Sequence, residues 1–369
     1  MRKILDFFRK ETVLTVAWAL ALASMALVPP DGGYLDYIDF DTLMLLFSLM
    51  AVMAGLQRLG LFRRLGDGLL ARTATTRQLE GVLIFLPFFT SMAVTNDVAL
   101  ITFVPFALEV LQLAHREDRL VPVVVMQTVA ANLGSMTTPI GNPQNLYLYA
   151  HYRLDLGVFF RTMLPLTLAS ALLLWLFIVT GRSRPLAVPQ FPPQLPLDRN
   201  RLAMYGCLFL LCLGAVADLL PVWAPAALVL LLVLCADRPT LKKVDYSLLL
   251  TFVGFFLFVG NLGRLPAFRT LFQALLTGHE VLCAVLASQV ISNVPAALLL
   301  SGFTENGRAL LVGTNLGGLG TLIASMASLI SYKQIARNHP RLRGRYLGWF
   351  TAANAAFLLI LLGFYHFLA

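Results

Sequence analysis

The sequence predicts an all-α polytopic membrane protein: an inverted-topology repeat with two re-entrant helical hairpins, two broken transmembrane helices and about nine crossings. Three observations predict it. The 369 residues are 58% hydrophobic and 13% charged, with a mean hydropathy of +0.78, whereas soluble domains are about one-quarter charged. Long apolar stretches are interrupted at matched places by polar and helix-breaking residues. The basic residues behind the net charge of +9 sit in short segments between the spans, which is a membrane-orientation pattern and excludes a nucleic-acid role.

Spans are expected near 12–29, 42–58, 81–113, 121–150, 160–180, 202–219, 222–236, 245–262, 281–303, 309–333 and 346–367. The amino-terminal "MRKILDFFRKETVLTVAWALALASMALVPP" resembles a signal peptide, but its apolar run is long enough to span, so an uncleaved first helix is expected. Stretch 81–113 is split by Thr95-Asn96-Asp97 into halves of about 15 residues, each too short to cross at about 1.5 Å per residue, which predicts a re-entrant hairpin. With the N-terminus inside and both 81–113 and 281–303 as hairpins, only Arg153, Arg161, Arg264, Arg269 and Arg308 of the 28 basic residues fall outside. The first outer loop, "PPDGGYLDYIDFD", carries Asp31, Asp36, Asp39 and Asp41 and no basic residue.

The hairpins enter from opposite faces and each precedes a broken span. "TNDVAL" (95–100) matches "SNVPAA" (292–297), and "NLGSMTTPIGNPQNLYLY" (132–149) matches "NLGGLGTLIASMASLISY" (315–332). The predicted organisation is a first repeat over 1–180, a linker with an extra crossing over 181–221, and a second, inverted repeat over 222–369, the arrangement of secondary transporters. Segments 58–80 and 262–280 read as interfacial helices leading into the hairpins, with Gly66-Asp67-Gly68 as a turn. Cys207, Cys212, Cys235 and Cys283 lack metal or redox spacing, so neither a disulfide nor a structural metal is expected.

Backbone can leave the helical path at membrane depth only where it is buried in protein or lines a wet cavity. Four breaks do so, at 95–97, 137–144, 292–294 and 317–321. Each returning half-helix is expected to start on cap chemistry: Asn96 or Asp97, Asn142 with Pro143, Asn293 with Pro295, and Thr321. Their free amides supply partial positive charge for an anion, and unwound carbonyls or side-chain amides can hold a cation beside it. Asn142, Gln144 and Asn145 serve that site or satisfy one another. Pro139, Gly141 and Pro143 shape the backbone, and "GTNLGGLG" (313–320) reads as close helix packing or as opened backbone. Asp97 is the carboxylate placed near the membrane centre and a candidate for H⁺ or Na⁺ coupling, with a helix-start role as the alternative. Glu109 and Asp218 end their spans and read as interfacial.

With these motifs the chain resembles the ion transporter superfamily, which includes arsenite permeases, D-type Na⁺/H⁺ antiporters and citrate transporters. "TNDVALITFVPFAL" resembles the ND-containing hairpin, "TTPIGNPQNLYLY" the TPIGNPxN break, and "SQVISNVPAALLL" the second hairpin tip. The resemblance covers nearly the whole chain and is nearest to a compact bacterial branch of citrate-transporter-like proteins. It implies a homodimer in the bacterial cytoplasmic membrane, with solute held by Thr95, Asn96, Thr138, Pro139, Gly141, Asn142, Asn145, Ser292, Asn293, Thr314, Asn315 and Gly317. Asp97, with Asn96 and Asn293, would carry the coupling ion. The carboxylate symporters carry Ser-Asn-Thr at both tips, whereas this chain has Thr-Asn-Asp and Ser-Asn-Val, which argues against a di- or tricarboxylate.

The expected function is secondary transport of a small anion or oxyacid by alternating access, coupled to H⁺ or Na⁺, with no other cofactor. A Na⁺/H⁺ antiporter centred on Asp97 is the alternative. A passive channel fits the repeat poorly, and an intramembrane enzyme lacks HExxH, GxSxG or paired membrane aspartates.

Overall fold

The computed structural model describes residues 11–186 and 196–368. The basic amino-terminal segment (Arg2, Lys3, Arg9 and Lys10) and the middle of the 181–201 linker lie outside the described residues. In chain order the helices are α1 (Thr12–Met25), α2 (Phe40–Arg58), α3 (Leu61–Leu70), α4 (Thr76–Val94), α5 (Asn96–Leu113), α6 (Leu120–Ser135), α7 (Pro143–His151), α8 (Leu156–Thr180) and α9 (Arg199–Val216). They continue as α10 (Trp223–Ala236), α11 (Tyr246–Gly263), α12 (Pro266–Leu276), α13 (Glu280–Ile291), α14 (Asn293–Ser301), α15 (Gly307–Gly317), α16 (Met326–Asn338) and α17 (Arg343–Leu368). The chain is a polytopic, all-helical membrane protein. Among the described residues, six helices are long and apolar enough to cross a bilayer, and the bent pair α12 and α13, at 110°, makes a seventh candidate.

Several helix starts are written locally. Asp39, Asp155, Asp198, Asp245 and Asn306 each accept a first-turn amide, and Thr75 with Gln78 forms a capping box for α4. That box starts α4 five residues earlier than expected, so α4 and α5 have 19 and 18 residues. Shortness therefore does not turn this pair back; the backbone at Thr95 does, with φ 67° and ψ 151°. The amide of Gln127 on α6 donates to the Leu83 carbonyl at 2.8 Å and the Phe103 carbonyl at 3.4 Å. In one straight helix those carbonyls would stand about 30 Å apart, so α4 and α5 fold against each other. Arms α13 and α14 likewise both pack on α15, with Ser292 at their junction (φ 76°, ψ 156°).

The packing recurs in pairs. Helix α4 lies along α6 as α13 lies along α15, while α5 packs on α16 and α14 on α7. Gly134 takes the Phe88 carbonyl and Ser91 against its Cα, and Gly317 takes Val285 and Ser288 in the same way. The Thr138 hydroxyl bonds the Met92 carbonyl, and the Thr321 hydroxyl bonds the Gln289 carbonyl at 3.1 Å. Beside these, α1 runs along α11, and α2 packs on α9 and α10.

Side-chain bonds tie the connecting segments into two ends. At one end lie Arg119 with Glu80, Arg77 with the Gly181 carbonyl, Arg58 with Asp237, and Gln112 with His339. At the other lie Arg264 with Asp31, and Tyr152 with the Thr304 carbonyl.

Two local expectations are corrected. Gly66-Asp67-Gly68 is no turn but the second half of α3, where Gly66 lets the Phe106 ring close to 2.7 Å of the place a Cβ would occupy. The last half-helix does not start on Thr321: α16 begins at Met326 after Ser325, and Thr321 is held in the break by the Gln289 side chain.

Candidate functional site at the meeting of the helix breaks

Four interruptions converge. One cavity of about 90 Å³ is lined by Asn96 and Asp97 at the α4/α5 tip, Ser292, Asn293 and Val294 at the α13/α14 tip, and Pro143, Gln144, Ser325 and Met326 at the two resumed helices. That is room for one small oxyanion or a few waters. The remaining wall comes from the starts of α1 and α11: Glu11, Val13 and Leu14, then Asp245, Ser247, Leu248 and Thr251.

The tips are built alike. Asn96 Oδ1 accepts the Asp97 amide at 2.9 Å, and Asn293 Oδ1 accepts the Val294 amide at 3.0 Å. Each asparagine thus bonds only the amide next to its own; among the described residues no side-chain cap closes the first turn of α5, α7, α14 or α16, so the caps expected at Asn96, Asn142 and Asn293 are not formed. Asn96 then spends its Nδ2 on Asn132 Oδ1 at 2.8 Å, and the same oxygen takes the Ser325 hydroxyl at 3.0 Å. Tip, first interrupted helix and second interrupted helix are joined through one amide. The Asn293 amide reaches the Ala324 carbonyl at 3.0 Å, which ties the other tip to the same break.

The TPIGNPQN segment folds as a 3₁₀ turn, Pro139–Gly141, followed by Asn142 before α7. Gly141 is required because a Cβ there would collide with the Ser135 carbonyl. Asn142 Nδ2 donates to Ser135 Oγ at 2.6 Å, while its Oδ1 is buried without a hydrogen-bond partner among the described residues. Asn145 reaches the Ser135 and Thr138 carbonyls and accepts the Asn315 Nδ2 at 2.6 Å. It therefore spans the gap in one interrupted helix and joins it to the other.

Of the sequence-predicted residues, the cavity gathers Asn96, Asp97, Ser292 and Asn293. Thr95 and Asn142 face a smaller, mostly apolar cavity of about 40 Å³ beside it, lined also by Leu46, Leu49, Met53 and Ile140. Thr138, Pro139, Gly141, Asn145, Thr314, Asn315 and Gly317 line neither cavity. Thr314 bonds its own helix at the Leu310 carbonyl and Gly317 admits Ser288, so the GTNLGGLG run packs closely up to Gly317, while 318–320 leave the helix and the Gln289 amide donates to the Gly317 and Leu319 carbonyls. Sequence reasoning missed Asp245 and Ser325 as lining groups, whereas Gln144, named with Asn142 and Asn145 as serving the site or satisfying one another, does line the cavity. Asp245 caps α11 as Asp39 caps α2, a correspondence that could have marked it.

Charge inside the cavity is one-sided. Asp97 Oδ1 is buried with no hydrogen-bond partner among the described residues, and Asp245 and Glu11 lie on the same wall. Among the described residues no Lys, Arg or His lines it. Among the described residues positive potential on the lining comes from the starts of α5, α7, α14 and α16.

Known proteins resemble this chain over most of its length. It is 32% identical over 306 residues to the inner membrane protein YbiR of Escherichia coli (strain K12), covering 80% of each chain. It is 30% identical over 302 residues to an uncharacterized transporter of Methanocaldococcus jannaschii, covering 80% of this chain and 81% of that one. A silicon efflux transporter of Oryza sativa subsp. japonica matches over 151 residues at 32% identity, covering 41% of this chain and 30% of the relative. Residues 6–306 match the citrate transporter family, and with these breaks and these relatives the chain belongs to that family of membrane transporters.

Proposed function

We propose that the chain is a secondary active transporter that moves a small anion or oxyacid by alternating access, coupled to H⁺ or Na⁺. The observation that carries this reading is the single cavity at which both folded-back tips and both resumed helices meet. In this reading α4/α5 and α13/α14 are re-entrant hairpins entering from opposite faces of an inverted repeat with nine crossings. The paired contacts of Gly134 and Gly317, and of Thr138 and Thr321, support the repeat. The end bearing Arg77, Arg119, Arg238, Lys242 and Lys243 would be cytoplasmic, with the N-terminus inside and the C-terminus outside.

The family's name suggests citrate and the plant relative's suggests silicon. A tricarboxylate suits the lining poorly, since its three charges would face Asp97 and Asp245 with, among the described residues, helix starts alone to offset them. A small oxyacid or monoanion fits better. The second reading, a Na⁺/H⁺ antiporter centred on Asp97, is favoured by that same carboxylate lining.

Proteoliposomes carrying an imposed pH gradient separate the two. Na⁺, Li⁺ and K⁺, then citrate, silicate and other oxyanions, are added one at a time. Solute uptake that depends on H⁺ or Na⁺ supports the first reading, and cation-driven collapse of the gradient without added solute supports the second. No response to any addition would contradict both.

A further inference from the structure

The cavity runs from a buried carboxylate to an exposed one. Asp97 Oδ1 is enclosed, whereas Asp245 is exposed at the start of α11, its Oδ1 accepting the Leu248 amide at 2.9 Å. Among the described residues Glu11, half-buried at the start of α1, is the other ionisable group on the lining. Acidic residues at helix starts are ordinary caps and would mean nothing alone. Gln144 adds an independent observation: it is 1% exposed, lines the same cavity, and its Nε2 has no hydrogen-bond partner among the described residues. A buried amide left unsatisfied in a polar cavity marks a place where something else binds. Turned about, the amide presents its carbonyl oxygen, and carboxylate and carbonyl oxygens are the ligands hard cations prefer.

We infer that Asp245 is a cation-selecting residue, gathering a monovalent cation (Na⁺ or a hydrated proton) at the cavity mouth and passing it to Asp97, with Gln144 as a further ligand for Na⁺, so that the solute enters by the same mouth as the neutral oxyacid. The inference rests on the reading that Asp97 carries the coupling ion. It assigns to α11, outside the helix breaks, a part in choosing that ion. Ser247 and Thr251, in the first and second turns of the same helix, give the path hydroxyl groups that a hydrated ion can follow. An acidic mouth on a confined cavity raises the local concentration of cations and lowers that of anions.

The test measures access rather than transport. In a chain whose native Cys207, Cys212, Cys235 and Cys283 are replaced, Thr251→Cys is reacted in proteoliposomes with cationic, anionic and uncharged thiol reagents at low salt. After correction for each reagent's rate with a free thiol, the cationic reagent is expected to win by about tenfold. Asp245→Asn should bring that ratio close to one and leave the uncharged reagent's rate unchanged. A ratio untouched by Asp245→Asn would overturn the inference, as would loss of the uncharged reaction with it, which would mark Asp245 as a cap only. Ser247→Cys is the second reporter if Thr251→Cys does not fold. Since no solute or gradient is involved, failure here leaves the transport reading standing, and failure of transport leaves the access ratio to be read on its own.

Discussion

Asn315 on α15 donates its Nδ2 to Oδ1 of Asn145 on α7 at 2.6 Å, so the two interrupted helices are joined by one buried amide pair. Both side chains are almost wholly enclosed, at 2% and 0% exposure. Asn315→Leu leaves the Asn145 oxygen without its donor and should cost about 1–3 kcal/mol, the penalty of an unsatisfied buried acceptor. Thermal unfolding in detergent, compared with wild type, measures it. An unchanged midpoint would mean that the pair does not hold the helices together.

Strain is stored at the two tips. Thr95 and Ser292 adopt φ 67° and 76° with ψ near 150°, a region that is essentially glycine's own, at about 1–3 kcal/mol each. Thr95→Gly and Ser292→Gly should each raise the unfolding midpoint. If both lower it, the side chains hold the tips more than the backbone resists them.

Close packing fixes the hairpins on the interrupted helices. A methyl added at Gly134 would run into the Phe88 carbonyl, and one added at Gly317 would stand 2.6 Å from Ser288 Oγ. Gly134→Ala should destabilise by about 1–3 kcal/mol through forced separation of α4 and α6. Gly317→Ala should cost less, because its contacts, 2.6 Å to Ser288 Oγ and 2.8 Å to Ser288 Cβ, are less severe than the closer approach to the Phe88 carbonyl. Parallel melting of the two variants checks the order.

The turn after α10 has an acid-side weakness. Burial pushes the Asp237 carboxyl up, but hydrogen bonds from Thr240, Tyr205 and Arg58 outweigh it and hold the group below the usual carboxylate range. A carboxyl depressed in the folded state stabilises fully above its unfolded value of about 3.9, and that contribution disappears as pH falls through the folded value. Asp237→Asn should therefore melt lower than wild type at neutral pH and draw level at strongly acidic pH. A constant gap across that range would place its effect in packing against the Tyr205 ring and not in charge.

Much of this architecture is written in the chain. The tips at Thr95 and Ser292 were legible because polar residues interrupt apolar runs, and the interruption at Asn142 because Pro and Gly accompany it. Helix ends were less so. The Thr75 and Gln78 capping box lengthens α4 beyond its apolar core, and Ser325 rather than Thr321 precedes α16, because Gln289, distant in sequence, captures the Thr321 amide. The site divides in the same way. Asn96, Asp97, Ser292 and Asn293 lie at breaks and could be named from local pattern. Asn145 and Asn315 have the same chemistry but are used on each other, a pairing that exists only once α7 and α15 are packed. Asp245 reads as an ordinary cap until α11 is placed against the tips.

Asp97 bears most of the account, because it is the carboxylate at the inner end of the shared cavity and its Oδ1 has no protein partner among the described residues. The most direct measurement is gradient-driven flux in proteoliposomes for wild type and Asp97→Asn, with whichever solute or cation the wild-type panel reveals. Asp97→Asn should fold and insert normally, yet lose at least about tenfold of the H⁺- or Na⁺-dependent flux, consistent with loss of an intramembrane ionisable group. Full coupled flux in Asp97→Asn would contradict the account.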